Sequence, residues 1–292
     1  MVFETLTLDA VNRAAATFDG AAGKSLNVAK VLQTLGEQPL ATGFLGGDRG
    51  EFVGKILAEL GIEEEFVVAR APTRQCVTVI DKSSGAVTEL VEESHPVDAA
   101  ELARLMEVVN RRVPHCRAVV MSGTIAPGVP LDLYGQITRL AKTQGVLSVV
   151  DAQGQALAHA LEAGPGLVKP NRLELAATVG RALPDEAAVV GAIKELHERG
   201  AGRVVVTAGK DPTLASDGTQ IWRITGPEIT SVNPIGSGDA LAAGLVWRLV
   251  QGEDLGQACR WGAAVGAANA LSWMAGDVKP EEVDRLAASV TV

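Results

Sequence analysis

The stretch from Val232 to Gly244 reads V-N-P-I-G-S-G-D-A-L-A-A-G and sets one carboxylate directly after a loop free of large side chains. Asn233-Pro234 signals a turn, because proline fixes its own φ and pushes the preceding residue towards an extended conformation. Gly236, Ser237 and Gly238 leave the backbone open to close approach by a ligand. Leu241, Leu245 and Leu249 then recur at the spacing of one helix face. Asp239 therefore falls in a first helical turn, beside amides that have no partner within that helix. Such amides, with the helix dipole, favour an anion. A carboxylate next to an anion hole suits phosphoryl transfer to a hydroxyl: the base takes the proton, and the donors hold the charge on the phosphoryl oxygens. Alone, G-S-G-D more often marks a tight turn followed by a carboxylate that stabilises the helix end. The other segments of the chain tip the balance.

N-P-I-G-S-G-D-A resembles the signature of the PfkB (ribokinase-like) carbohydrate kinases, and further segments fit that family in order from about residue 11 to the end. The resemblance implies that Asp239 is the catalytic base, that Gly236, Ser237 and Gly238 form the anion hole, and that ATP and Mg²⁺ are used. Gly20-Ala-Ala-Gly-Lys-Ser-Leu-Asn-Val-Ala-Lys invites comparison with a Walker A loop, which needs a glycine five residues before Gly23; Phe18 stands there. The segment is instead similar to the G-G-K-G-x-N-V-A sugar motif of the family's hexose-phosphate branch. Lys24 and Asn27 match it as substrate-binding residues, while Ala22 and Ser25 replace glycines. Asp48, in L-G-G-D-R-G-E-F, falls near the sugar by the same resemblance. Arg74 in T-R-Q and Arg13 in V-N-R resemble two lid arginines that grip the phosphate already on the sugar, a task suited to a guanidinium fork. Thr124 lies in S-G-T-I-A-P-G-V-P, similar to a substrate-contacting loop at a strand's carboxyl end; ordinary turn chemistry explains it equally well.

Lys169-Pro-Asn-Arg-Leu-Glu174 resembles the family's K-P-N-x-x-E. Asn171 and Glu174 are one helical turn apart, and an amide oxygen with a carboxylate suits a hydrated Mg²⁺ that keeps several waters. The same pair reads as an N-cap and its capping-box partner, and the two readings are compatible. Lys169, Thr207, Gly209 and Lys210 are implied in ATP binding, although Pro212-Thr213 departs from the family's usual G-A. The small-residue helix after Leu255 reads as a packing surface, and resemblance alone places Asn269 near adenine.

The elements that must hold these residues follow from pattern. Beyond Pro96, apolar strands alternate with helical periods, the signature of a parallel sheet covered on both faces. The fold class is thus α/β, and the resemblance implies a ribokinase-like open, mostly parallel sheet with helices on both faces plus a small β-sheet lid. The core is expected over 21–63 and 94–292, and the lid over 1–20 and 64–93, where short alternating runs turn at Lys82–Gly85. In the family such a lid is often a dimer surface, so a homodimer is expected through it. Family members also open with a strand and turn resembling T-x-N-P-x-x-D, whose aspartate binds sugar hydroxyls. The present sequence begins after that point, which implies either an upstream start or a weakened relative.

Composition narrows the partners. The chain has 292 residues, 47% of them hydrophobic and 21% charged, enough for a substantial core. A net charge of −9 lacks the basic footprint of a nucleic-acid binder. Cys76, Cys116 and Cys259 are an odd, scattered set that suits a reducing compartment, and His95, His115, His159 and His197 show no ligand-like grouping. No membrane span or basic leader is evident, so the cytoplasm is the expected compartment. The reading is an ATP-dependent kinase acting on the free primary hydroxyl of a ketohexose phosphate. The alternatives are a free-sugar or nucleoside kinase of the same family, or a non-catalytic relative that binds sugar phosphates or nucleotides.

Overall fold

A computed structural model describes residues 1–292. In chain order the strands are β1 (Val2–Phe3), β2 (Leu40–Ala41), β3 (Phe44–Leu45), β4 (Glu63–Glu64), β5 (Val67–Val68), β6 (Cys76–Asp81), β7 (Ala86–Val91), β8 (Ala118–Ser122), β9 (Leu147–Asp151), β10 (Leu167–Val168), β11 (Val204–Ala208), β12 (Asp211–Ser216) and β13 (Ile221–Ile224). The helices are α1 (Lys24–Thr34), α2 (Gly47–Glu59), α3 (Ala99–Arg112), α4 (Leu133–Thr143), α5 (Gly154–Ala163), α6 (Arg172–Val179), α7 (Glu186–Glu198), α8 (Ser237–Leu249), α9 (Leu255–Ala270) and α10 (Pro280–Ala287).

The main sheet has the order β13-β12-β11-β10-β9-β8. The strands β8 to β11 run parallel, and β12 and β13 extend the sheet antiparallel. Because successive strand residues point to opposite faces, one strand feeds two cores. Val150, Val168, Val204 and Val206 enter a cluster with α3 to α7, whereas Val149, Leu167 and Val205 enter another with α1, α8, α9 and α10. All seven are almost wholly buried, as apolar strands covered on both faces must be. The α/β architecture expected from the alternating pattern, ribokinase-like by the resemblance, is therefore present.

The small sheet is β1-β6-β7, with the expected turn at Lys82–Gly85 between β6 and β7. Its two long strands are β6 and β7, which run from Cys76 to Val91. The segment before them turns back towards the α/β side, where β4 pairs with β2 and β5 with β3. β2 and β3 are two short pieces separated where Gly43 takes a φ of 151°.

Two local features seat the helix that carries Asp239. The α8–α9 pair is packed through glycines: a Cβ on Gly244 would lie 2.8 Å from Gly262 Cα, and one on Gly266 would lie 3.0 Å from the Ser237 carbonyl oxygen. Backbone thus lies against backbone, and α8 is buried from Asp239 through Val246.

Candidate active site

Turn chemistry shapes the segment ahead of α8. Gly236 is the N-cap, with a φ of 81° in the left-handed region that favours glycine. Asn233, itself buried, pins the turn from both ends: its Oδ1 accepts from the Ile235 amide at 3.1 Å, and its Nδ2 donates to the Trp273 carbonyl at 3.0 Å. The Ser237 amide donates to the Pro234 carbonyl at 3.1 Å, whereas the amides of Gly236, Gly238 and Asp239 have no protein acceptor. Those three N–H groups sit at the positive end of a 13-residue helix, where an anion is favoured.

Asp239 is 7% exposed, and its Oδ2 accepts from Asn27 Nδ2 on α1 at 2.8 Å. Burial pushes its carboxyl up from 3.8 to about 6; the Asn27 hydrogen bond and the Lys169 and Lys24 charges oppose the rise, and Asp151 adds to it. A base poised near neutrality is what proton abstraction from a hydroxyl calls for. The Asn27 Oδ1 is buried with no partner, so this side chain has an acceptor to spare once it has bound the base.

Around Asp239 stand groups delivered by the carboxyl ends of parallel strands, where open α/β sheets place ligands. Asp151 ends β9 and is 2% exposed; its Oδ2 lies 3.2 Å from Lys169 Nζ, just past β10, and accepts from Ser122 Oγ at 3.3 Å. The Lys24 Nζ, at the start of α1, is 3.9 Å from Asp151 Oδ1 and 3.8 Å from Glu174 Oε1. Gly123, with a φ of 102°, donates its amide to the Asp151 carbonyl at 3.0 Å and lies against the Lys24 side chain. The expected residues Lys24, Asn27, Lys169, Glu174 and Asp239 are therefore brought together. Asp151 joins them without having been singled out; its only sequence signal was a carboxylate ending the apolar run S-V-V-D.

Asn171 and Glu174 form a reciprocal capping box: Asn171 Oδ1 accepts from the Glu174 amide at 2.9 Å, and Glu174 Oε2 accepts from the Asn171 amide at 2.8 Å. That leaves Glu174 Oε1 towards Lys24. Thr207 is tied to the same place, its amide donating to the Pro170 carbonyl at 3.2 Å. Gly209, at a φ of 64°, and exposed Lys210 form the tip of the β11–β12 turn. The donor set suits a hydrated divalent cation: the buried Asp151 Oδ1 has no hydrogen-bond partner, and Glu174 Oε1 lies across Lys24 from it.

Asn269 is placed differently from the adenine contact expected of it. It is wholly buried, its Nδ2 donates to the Ile235 carbonyl at 2.9 Å, and its Oδ1 accepts from the Gly276 amide at 2.7 Å. Its polar atoms are committed to the turn, and none faces a ligand. Arg13, Asp48 and Thr124 are exposed, and neither Arg13 nor Asp48 has a side-chain partner within the protein. Arg74 donates only to Ser94 Oγ at 3.0 Å, although nine other arginines are paired with carboxylates. Arg13 and Arg74 are thus among the eight arginines without a carboxylate partner.

Residues 3–281 match the pfkB family carbohydrate kinases. The tagatose-6-phosphate kinase of Staphylococcus epidermidis is 28% identical over 292 residues, covering 99% of this chain and 94% of that protein. Among solved structures, phosphofructokinase-2 from Escherichia coli in complex with substrates and products superposes with a TM-score of 0.89 at 28% identity, covering 98% of this chain and 94% of that one. A possible 1-phosphofructokinase from Thermotoga maritima has a TM-score of 0.92 at 24% identity, covering 100% and 94%, and supports the fold.

Proposed function

The chain belongs to the pfkB family of carbohydrate kinases, and on that premise we propose that it transfers the terminal phosphoryl group of ATP to the free primary hydroxyl of a ketohexose phosphate. The observation that carries this reading is the buried Asp239, its carboxyl raised to about 6, set in the first turn of α8 beside three unclaimed amides. In this reading Asp239 removes the hydroxyl proton, held in aim by Asn27. The amides of Gly236, Gly238 and Asp239 receive the phosphoryl oxygens, and the ammonium of Lys24 offsets their charge. Lys169 balances the charge of the buried Asp151 through their 3.2 Å contact. Thr207, Gly209 and Lys210 border the nucleotide phosphates. Asp151 and Glu174, with Asn171 behind them, would hold Mg²⁺, which when bound neutralises charge on the phosphate oxygens.

Arg74 and Arg13 would grip the phosphate that stays on the sugar, with Asp48 and Thr124 on its hydroxyls. Their match to the lid arginines that hold a sugar's existing phosphate favours a phosphosugar over a free sugar. The tagatose-6-phosphate kinase and phosphofructokinase names of the relatives point to the same substrate class. A second copy would pack on the β1-β6-β7 sheet, where Leu8, Val11, Leu90 and Val91 are exposed. No helix is long and apolar enough to cross a membrane.

The test is a coupled ADP-release assay with Mg-ATP against fructose 1-phosphate, tagatose 6-phosphate, fructose 6-phosphate and free fructose. Turnover with one phosphosugar, far above that with fructose, is expected. Turnover with free fructose alone would overturn the phosphosugar assignment, and silence with all four would overturn the kinase reading.

A further inference from the structure

Lys30 lies one turn beyond Asn27 on α1 and has no role in the site described above. Its Nζ donates to the Ala275 carbonyl at 2.6 Å and to the Ala21 carbonyl at 3.3 Å. No carboxylate is within ion-pair distance, Asp277 acts on it only at longer range, and burial lowers its proton affinity. A mostly buried ammonium that binds only carbonyls is an expensive anchor, since an apolar side chain of the same length would usually serve packing as well. What it anchors explains its presence.

Residues 270–276 run as a strap behind the anion-hole turn. The Ala270 carbonyl accepts from the Val232 and Asn233 amides, and the Trp273 carbonyl accepts from Asn233 Nδ2. Ala275 fills the place that a Cβ on Gly236 would take, 2.7 Å away, and the Gly276 amide donates to Asn269, whose Nδ2 in turn donates to the Ile235 carbonyl. From the other side α1 closes on the strap, because a Cβ on Gly276 would lie 3.1 Å from Asn27 Cα and 3.3 Å from Lys30 Cε. The strap is therefore held between the turn that bears the free amides and the helix whose Asn27 orients Asp239. Lys30 makes the only side-chain hydrogen bond from α1 to it.

We propose that Lys30 is a positioning residue for phosphoryl transfer: by holding the Ala275 carbonyl it presses the 270–276 strap onto the Gly236–Gly238 turn and keeps the anion hole in register with Asp239. The proposal rests on the kinase reading above, and its test has one readout that does not. Lys30→Met removes the ammonium at nearly constant length. It should lower kcat at least tenfold while KM for ATP and for the phosphosugar stays within about threefold. Hydrogen exchange at the Gly276 amide and its neighbours should quicken at least tenfold, with exchange in the main sheet unchanged. Lys30→Arg, which can still donate to both carbonyls, should stay within about threefold of the parent in kcat.

A Lys30→Met protein that loses thermal stability but keeps its kcat would show a structural anchor only and overturn the proposal. A raised KM for one substrate at constant kcat would overturn it in favour of direct contact. If Lys30→Met does not fold, Gly276→Ala disturbs the strap while keeping the Lys30 ammonium, its methyl pressing on Asn27 Cα and Lys30 Cε. It should reproduce the selective loss of kcat, and unchanged kcat in that variant would likewise overturn the proposal. A parent chain without turnover would sink the kinase reading alone, leaving the exchange of the strap amides to decide whether Lys30 holds it.

Discussion

Replacing Asp239 by asparagine should move activity and stability in opposite directions. The isosteric amide can still accept from Asn27 through its oxygen, so the geometry of the first turn is preserved while the base is lost. General-base catalysis is worth about 10²- to 10⁴-fold, and kcat should fall by that order. Stability follows from burial. The carboxyl rises from 3.8 to about 6 in the folded chain, so between those values the folded state holds a proton that the unfolded state has released. Unfolding free energy therefore declines as pH rises from about 4 to about 6, by at most about 3 kcal/mol at about 1.4 kcal/mol per pH unit, and the loss persists above pH 6. The substituted amide does not titrate and escapes this loss. Urea unfolding of both proteins at pH 4.5, 6 and 7.5 isolates the effect, because every other group titrates in common. The stability difference should grow in favour of Asp239→Asn across that range and then level off. A variant that is less stable at pH 7.5, or a difference independent of pH, would refute the claim that burial strains the carboxylate. Undiminished turnover would refute its role as base.

Four further outcomes rest on the same geometry. The kcat/KM of the parent should fall on acidification with an apparent pKa near 6. Lys169→Met should move that limb upward, because Lys169 lowers the Asp239 value, and should also destabilise the fold by about 3–5 kcal/mol by leaving Asp151 buried and unpaired; an unmoved limb in the pH–rate profile would break the link. Gly236→Ala sets a methyl 2.7 Å from Ala275 Cβ at a φ of 81° and should cost about 2–4 kcal/mol in a thermal or urea melt, with strongly reduced turnover; near-parental stability would mean that the strap yields freely. Arg74→Ala should raise KM for the phosphosugar at least tenfold while leaving that for ATP within about twofold in steady-state kinetics, and equal effects on both would remove the arginine from the sugar phosphate.

What could be read from the sequence was local in origin. The Asn233–Asp239 turn announced itself because proline and glycine restrict or free φ within a few residues, and the leucines after it keep helical period. Lys24, Asn27, Lys169 and Glu174 likewise lie in short segments whose order carries meaning. Asp151 escaped notice because a carboxylate ending a strand becomes a site residue only when the strands beside it deliver Lys169 and Ser122, and that depends on register. Asn269 shows the converse limit: a helix of alanine and glycine leaves room for a flat ligand or for a neighbouring helix, and α8 packs against it here. The break between β2 and β3 at Gly43 is a matter of backbone angle, and their partners β4 and β5 lie beyond a helix, so neither shows in the local pattern.

The tryptophans are distributed so that the molecule carries its own probe. Trp247 and Trp261 meet edge to face with the Arg248 guanidinium 3.6 and 4.0 Å from their rings, and Trp222 lies beside Gly256 at the start of α9. All three are at the end of α8 away from Asp239; Trp247 lies eight residues along the helix from it, about 12 Å at about 1.5 Å per residue. Trp273 alone sits on the strap, stacked on Phe18 with ring centroids 6.3 Å apart and 40% exposed, its own carbonyl bonded to Asn233. The other three are half-buried, and Trp273 is the exposed one. The most solvent-accessible part of the intrinsic fluorescence therefore comes from the strap behind the anion-hole turn.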